Sequence, residues 1–234
     1  MKKAIYLLFI TVILFLFSCR KEEEKVPETK IGYNYAGLYE RKFVIYDVDS
    51  TFYNVPFNII QHHRFELKEW IESKYTDAEG NDAFRIVRYK KDTSISTNWI
   101  HQVVWNATIN KLNYQKVEDN IRYVKLIFPI KEDKTWNGNS MNTLAQWDYE
   151  YESIHTPETI GGKSFDSVTT VTQFDDENIN LIQRQFYQEK FAVNVGMVYK
   201  RIIDIDKKYN NGTGLFENSE GVDITYTFKS TGYE

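Results

Sequence analysis

Trp147-Asp148-Tyr149-Glu150-Tyr151-Glu152 alternates large aromatic and acidic side chains without a break. Successive side chains of an extended chain point to opposite faces, so this spacing sets three aromatics on one face and three carboxylates on the other. A helix would scatter both sets around its circumference. The stretch therefore predicts a strand with one buried face and one wet face, the arrangement that antiparallel sheets allow. Composition points the same way: aromatics make up 16% of the chain, with 17 Tyr and 15 Phe, and such side chains suit half-buried pleated surfaces.

Turn signals divide the flanking sequence into further strands. Downstream, Gly161-Gly162 leads into Phe165–Phe174, and Asp175-Asp176-Glu177-Asn178 turns the chain into Ile182–Phe191. Met197–Ile205 and Val222–Phe228 follow. Upstream, Ile121–Phe128 is a nearly continuous apolar strand stopped by Pro129, preceded by Lys111–Val117 and by the alternating segment Trp99–Trp105. Phe65–Thr76 spaces Leu67, Trp70, Ile71 and Tyr75 as a helix would. The turn cluster Asp77–Asp82 that joins it to Ala83–Lys91 favours a hairpin and hence a strand. Tyr39–Val48 opens the series and should end at Asp47-Val48-Asp49-Ser50. Lys131–Asn142 reads as a long polar loop enclosing Trp136, at which a domain spanning 31–234 would subdivide. With ten or eleven strands, no βαβ rhythm and no fixed-period repeat, the expected class is all-β and mainly antiparallel: a sandwich, half-barrel or curved sheet.

The N-terminus supplies an address. Lys2 and Lys3 precede an apolar run from Ala4 to Phe17, about fourteen residues, which is short of the roughly 20 that cross a bilayer. Leu16-Phe17-Ser18-Cys19 closes it and resembles the lipobox of bacterial lipoproteins, although Phe17 is bulkier than the usual residue there. That resemblance implies a signal peptide over 1–18, cleavage after Ser18 and acylation of Cys19, a membrane anchor made stable by several acyl chains. Residues 19–30 carry Arg20-Lys21-Glu22-Glu23-Glu24-Lys25 and are too polar to fold, so they should form a solvated tether. Lys21 with Glu22, Glu23 and Glu24 resembles the surface-export signal of Bacteroidota lipoproteins, which implies an outward-facing position on the outer membrane; a periplasm-facing one is the alternative. Cleavage would remove two lysines and move the formal charge from −4 to −6. No basic cluster remains to hold a nucleic acid. Cys19 is the single cysteine, so the core must hold without a disulfide.

Sequence motifs for catalysis are absent. His62, His63, His101 and His155 form no metal-binding spacing, and neighbours such as His62 and His63 point to opposite strand faces. There is no nucleophile elbow, Walker loop or dinucleotide fingerprint, and no catalytic residue, metal or cofactor is expected. Asp175-Asp176-Glu177 offers oxygens to calcium but also reads as a solvated hairpin turn. Glu150 and Glu152 share a wet face, an ordinary strand arrangement. Candidate binding residues are Trp136, a large aromatic in a polar loop that either stacks on a sugar or partner or plugs the end of a sheet, and the aromatic row Trp147, Tyr149 and Tyr151.

Tyr39–Asp49, Asp77–Gly80, Thr135–Asn142 and Phe191–Lys200 together resemble a family of Bacteroidota outer-membrane lipoproteins with no assigned activity. Phe191–Lys200 also resembles a segment of envelope proteins with curved antiparallel sheets, among them lipid-carrying half-barrels. Two readings follow: a non-catalytic envelope module whose partner is a protein or glycan, and a carrier of lipid or another apolar ligand; a hydrolase trails both. The inward face of Ile121–Phe128 discriminates, since large side chains there make a core and small ones a pocket. Cys19→Ala should release the protein from the membrane fraction, with unchanged fractionation refuting the anchor. Replacing Lys21 to Glu24 by alanines should abolish protease accessibility on whole cells.

Overall fold

The alternating stretch lies in a long strand whose aromatic face is inside: Tyr149 and Tyr151 are buried, while Asp148, Glu150 and Glu152 are exposed. The computed structural model describes residues 31–57, 59–92, 94–176 and 181–234. The expected signal peptide 1–18 and the tether 19–30, with Cys19, Lys21, Glu22, Glu23 and Glu24, lie outside the described residues.

Twelve strands form one antiparallel sheet: β1 (Lys42–Asn54), β2 (Ile59–Thr76), β3 (Asp82–Lys91), β4 (Ile100–Ile109), β5 (Asn113–Glu118), β6 (Ile121–Ile127), β7 (Thr135–Asn137), β8 (Asp148–Ile160), β9 (Lys163–Asp175), β10 (Gln183–Ala192), β11 (Gly196–Asn210) and β12 (Leu215–Tyr233). Their spatial order is β6-β5-β4-β3-β2-β1-β12-β11-β10-β9-β8-β7. The chain meanders out from β1 to β6, crosses to β7, and meanders back until β12 pairs with β1. Residues 131–142, where the sequence suggests a subdivision, carry the chain from one edge of this sheet to the other.

Three expectations need correction. The polar stretch Lys131–Asn142 is not all loop, because Thr135–Asn137 pairs with Asp148–Glu150 as a short strand. The first strand does not turn at Asp47–Ser50 but runs to Asn54. Asp49 and Ser50 are matched by Arg64 and His63 on β2 and by Thr225 and Ile224 on β12, and pairing on both sides overrides their turn preference. Among the described residues the strands number twelve, where the sequence suggests ten or eleven. Phe65–Thr76 is a strand, as the hairpin signal argues, with a register break between Ile71 and Ser73 that leaves Trp70 and Tyr75 on the face opposite Leu67 and Ile71. A bulge inserts one residue, so the positions facing one side run 67, 69, 71 and then 74, an interval no uninterrupted strand produces.

Inward side chains at one end of the curved sheet make the larger core, with Phe84, Trp105, Leu126, Phe128 and Phe191 among them. Each such burial contributes about 1.5–3 kcal/mol. A short 3-10 helix, Tyr33–Ala36, closes this end. Tyr35 is fully buried, its hydroxyl 2.5 Å from Ser167 Oγ and 2.6 Å from His155 Nδ1. The Lys42 ammonium donates to the carbonyls of Asn194 (2.6 Å) and Val195 (2.7 Å), fixing the start of β1 against the β10–β11 turn.

Between the edge strands β6 and β7 the ladder gives way to a seam closed mainly by side chains. Val124 N–H donates to Gly138 O at 2.9 Å, and Trp136 Nε1–H donates to Val124 O at 2.8 Å. Asn142 Nδ2 donates to Arg122 O at 2.9 Å. The Tyr151 hydroxyl accepts from Ile127 N–H (3.0 Å) and donates to Ile127 O (2.6 Å). A single phenol thus satisfies both backbone groups of one edge residue. Tyr151→Phe should leave that pair unmet and cost about 1–3 kcal/mol in urea denaturation. Tyr75→Phe, at an exposed hydroxyl 3.3 Å from Asn106 Oδ1, should stay within about 0.5 kcal/mol.

Candidate functional site

Above the apolar core the inward face changes character. β2 contributes Glu69, β3 Arg88, β5 Lys116 and Glu118, β6 Lys125, β10 Glu189 and β11 Lys200, and cross-strand register aligns them. Glu69 stands opposite Arg88, and Glu189 opposite Lys200. Lys125 sits in the register break of β5–β6, the extra residue that lets it turn inward beside Leu126.

The seven groups form a continuous chain of ion pairs. Arg88 Nε lies 3.2 Å from Glu69 Oε1, and Lys116 Nζ lies 2.8 Å from Glu69 Oε2. Lys116 also reaches Glu118 at 3.5 Å. Lys125 and Lys200 both bridge Glu118 and Glu189: 3.4 and 2.9 Å for Lys125, 3.5 and 3.0 Å for Lys200. Burial alone would push Glu118 toward protonation. Lys125, Lys200, Lys116 and Arg88 outweigh it and hold the carboxyl well below its usual range. Glu189 is held low against the same burial by Lys125 and Lys200, while Glu118 opposes them. Burial would lower the two lysines, but the carboxylates hold both above the ordinary lysine value. All four groups therefore stay charged through the neutral range.

Four of the seven, Arg88, Glu118, Lys125 and Lys200, backed by Glu69, Lys116 and Glu189, form the floor of a cavity of about 560 Å³, within the range of small-molecule pockets. Its mouth lies on the side of the β5–β6 turn and the β7–β8 connection, where Asp119, Asn139 and Leu144 line it. The wall is aromatic. The Arg88 guanidinium lies 3.7 Å from the Trp105 ring centre, and the Trp105 indole N–H donates to Asp119 at 3.3 Å. Trp147 stacks on Phe174 and packs against Tyr187, both at 4.8 Å between centres. Tyr187 donates to Asp204 at 2.8 Å. Burial, with a smaller push from Glu189, raises the Tyr149 phenol, so it remains a donor.

The four aromatics singled out in the sequence separate into two pairs. Trp147 and Tyr149 line the cavity. Trp136 and Tyr151 lie together, rings 4.8 Å apart, in the seam. Ile121–Phe128 does not follow the size criterion: Leu126 and Phe128 fill the core, and the residues of this strand that line the cavity, Tyr123 and Lys125, are large as well. Glu150 and Glu152 face outward, and Glu152 accepts from Thr172 (2.6 Å) and Gln188 (2.7 Å). Asp175 and Asp176 pair with Arg184 at 2.8 and 3.1 Å. Among the described residues no group of three or more His, Cys, Asp or Glu is placed to hold a metal.

Sequence reading missed the charged layer and Gln173. A signal existed for Lys125, which interrupts the mostly apolar strand Ile121–Phe128, whereas Glu189 sits in a strand already rich in polar residues and gave none. Glu118 is the last residue of β5, just before the turn to β6. Asp119 and Asn120, at φ 49° and 66°, make the two left-handed positions that a tight hairpin requires.

No family model matches the chain, and no curated protein matches it. Two solved structures are similar to it in course. One is a protein from Bacteroides fragilis, provisionally named exported and with a YmcC-like fold, at 8% identity and TM-score 0.46, covering 83% of this chain and 96% of that one. The other, from Parabacteroides distasonis, is provisionally named a lipoprotein, at 8% identity and TM-score 0.43, covering 85% and 98%. Neither name states a ligand or a reaction.

Glu118→Gln removes one partner of a buried network and should cost about 3–5 kcal/mol at pH 7. Because the folded pKa values of Glu118 and Glu189 lie below the ordinary 4.5, their stabilisation is full above that pH and is lost as pH falls through the lower folded values. The gap between Glu118→Gln and the wild type, followed by denaturant titration, should therefore narrow below about pH 4.5.

Proposed function

We propose that the protein is a non-catalytic lipoprotein of the outer membrane that holds a small molecule inside its curved sheet. The observation that carries this reading is the cavity of about 560 Å³, which the sheet leaves unfilled above a complete apolar core. A protein that needed only a scaffold would fill this space, because an empty interior forfeits dispersion contacts. The aromatic wall and the fixed polar floor are what small-molecule sites combine.

The same groups are unsuited to proton transfer. General acid–base catalysis wants a pKa near the working pH. Here Glu118 and Glu189 are driven down and Lys125 and Lys200 up by one another, so none of these four is poised to exchange a proton near neutrality. Lipidation on Cys19, with Lys21, Glu22, Glu23 and Glu24 directing the protein outward, gives the membrane address that the N-terminal sequence supports.

Exposed apolar side chains at the strand tips favour a second reading, an envelope-protein partner. Phe57 at 74% exposure and Leu215 at 64% cap the β1–β2 and β11–β12 tips, with Ile60, Tyr209 and Phe216 close by in the chain. Native mass spectrometry of the protein purified from its own cells separates the two. A stoichiometric small molecule released on gentle activation is the expected outcome. An empty protein that retains a specific envelope polypeptide would replace the first reading by the second.

A further inference from the structure

The ion-pair layer that forms and backs the cavity floor carries an uneven charge count. Four cations, Arg88, Lys116, Lys125 and Lys200, face three carboxylates, Glu69, Glu118 and Glu189. Every carboxylate is already shared between at least two cations. In a low-dielectric interior an unmatched charge is costly unless a counter-charge arrives. Two further acids are near. Asp119 stands exposed at the rim and accepts from the Trp105 indole, and Asp204 accepts from Tyr187 and from Gln185 Nε2 at 3.1 Å. Neither pairs with the floor cations.

Two donors in the cavity lining are buried without a hydrogen bond. Gln173 is 4% exposed, and its Nε2 has no hydrogen-bond partner. Arg88 Nε is buried too; although 3.2 Å from Glu69, it lacks the alignment of a hydrogen bond. An unmet buried donor costs about 1–3 kcal/mol. Both atoms are donors only, so what satisfies them is an acceptor.

From this geometry we infer that the ligand is a small organic monoanion, its acidic group seated between Arg88 and Gln173 on the cationic floor and its apolar or aromatic body against Trp105, Trp147 and Tyr187. This rests on the small-molecule reading above and narrows it from any apolar ligand to an anionic one. A neutral lipid body would leave the excess charge and both donors unmet. A dianion would overshoot the single excess charge.

Two probes of nearly the same shape test it: 8-anilino-1-naphthalenesulfonate, which carries one negative charge, and N-phenyl-1-naphthylamine, which carries none. The neutral probe has the stronger hydrophobic drive, so a preference for the sulfonate reports the floor. Calorimetric titration of the folded protein should give one site, with the sulfonate bound at least tenfold more tightly and the melting temperature raised. A rise in melting temperature separates this from dye uptake by a partly unfolded state. Gln173→Leu, which removes a donor without breaking an ion pair, should weaken the sulfonate about tenfold and leave the neutral probe unchanged. Equal or tighter binding of the neutral probe, or a sulfonate affinity indifferent to Gln173→Leu, would overturn the anion assignment and leave a small-molecule pocket standing. Binding of neither probe would overturn both.

Discussion

The closure of one sheet edge against the other is the constraint on which this architecture depends. A twelve-stranded meander that stayed open would present β6 and β7 as bare edges, each a row of unmet N–H and C=O groups and a template for aggregation. Here β7 is only three residues long, too short to pair with the whole of β6. The Tyr151 hydroxyl, the Trp136 indole, the Asn142 amide and the Gly138 carbonyl supply the missing partners. Because both aromatics reach across from the β7–β8 side with their rings inside, the contacts that close the seam also add to the core. Curvature, enclosure and the existence of an interior all follow from that junction.

Once the sheet curves back on itself, its inward face has a length that can be divided. The end beneath Tyr35 is a dry aromatic and aliphatic core, the larger of two buried apolar clusters. The other end holds the charged layer, which is a poor source of stability, since desolvating seven ionic groups offsets most of their mutual attraction. Apolar side chains of similar size would serve stability as well or better. Retaining ions there makes sense if their placement is used, and the cavity above them gives a use.

The same layer shows why the two ends are not interchangeable. Removing a methylene from the core leaves a void that neighbours partly fill, whereas removing one carboxylate from the ion chain strands two or three cations at once. The stakes of substitution are therefore highest where the net stabilisation is lowest. A chain of this kind tolerates change in its wet outer face, where Glu150 and Glu152 sit, far more readily than on its inner one.

Much of the architecture was legible in the chain itself. The alternation from Trp147 to Glu152 specified a one-faced strand, Gly161-Gly162 and the Asp77–Asp82 cluster specified turns, and their succession specified an antiparallel all-β class. These are local properties, because strand period and turn conformation are set by neighbouring residues. Tertiary structure alone decided that Trp136 and Tyr151 close a seam while Trp147 and Tyr149 line a cavity, and that Lys125 is an interior cation. Lys125 meets Glu189 across 64 positions of sequence and Lys116 meets Glu69 across 47. The pleat tells which face a side chain takes. What that face meets depends on how the sheet curves and where its edges join, which no local pattern encodes.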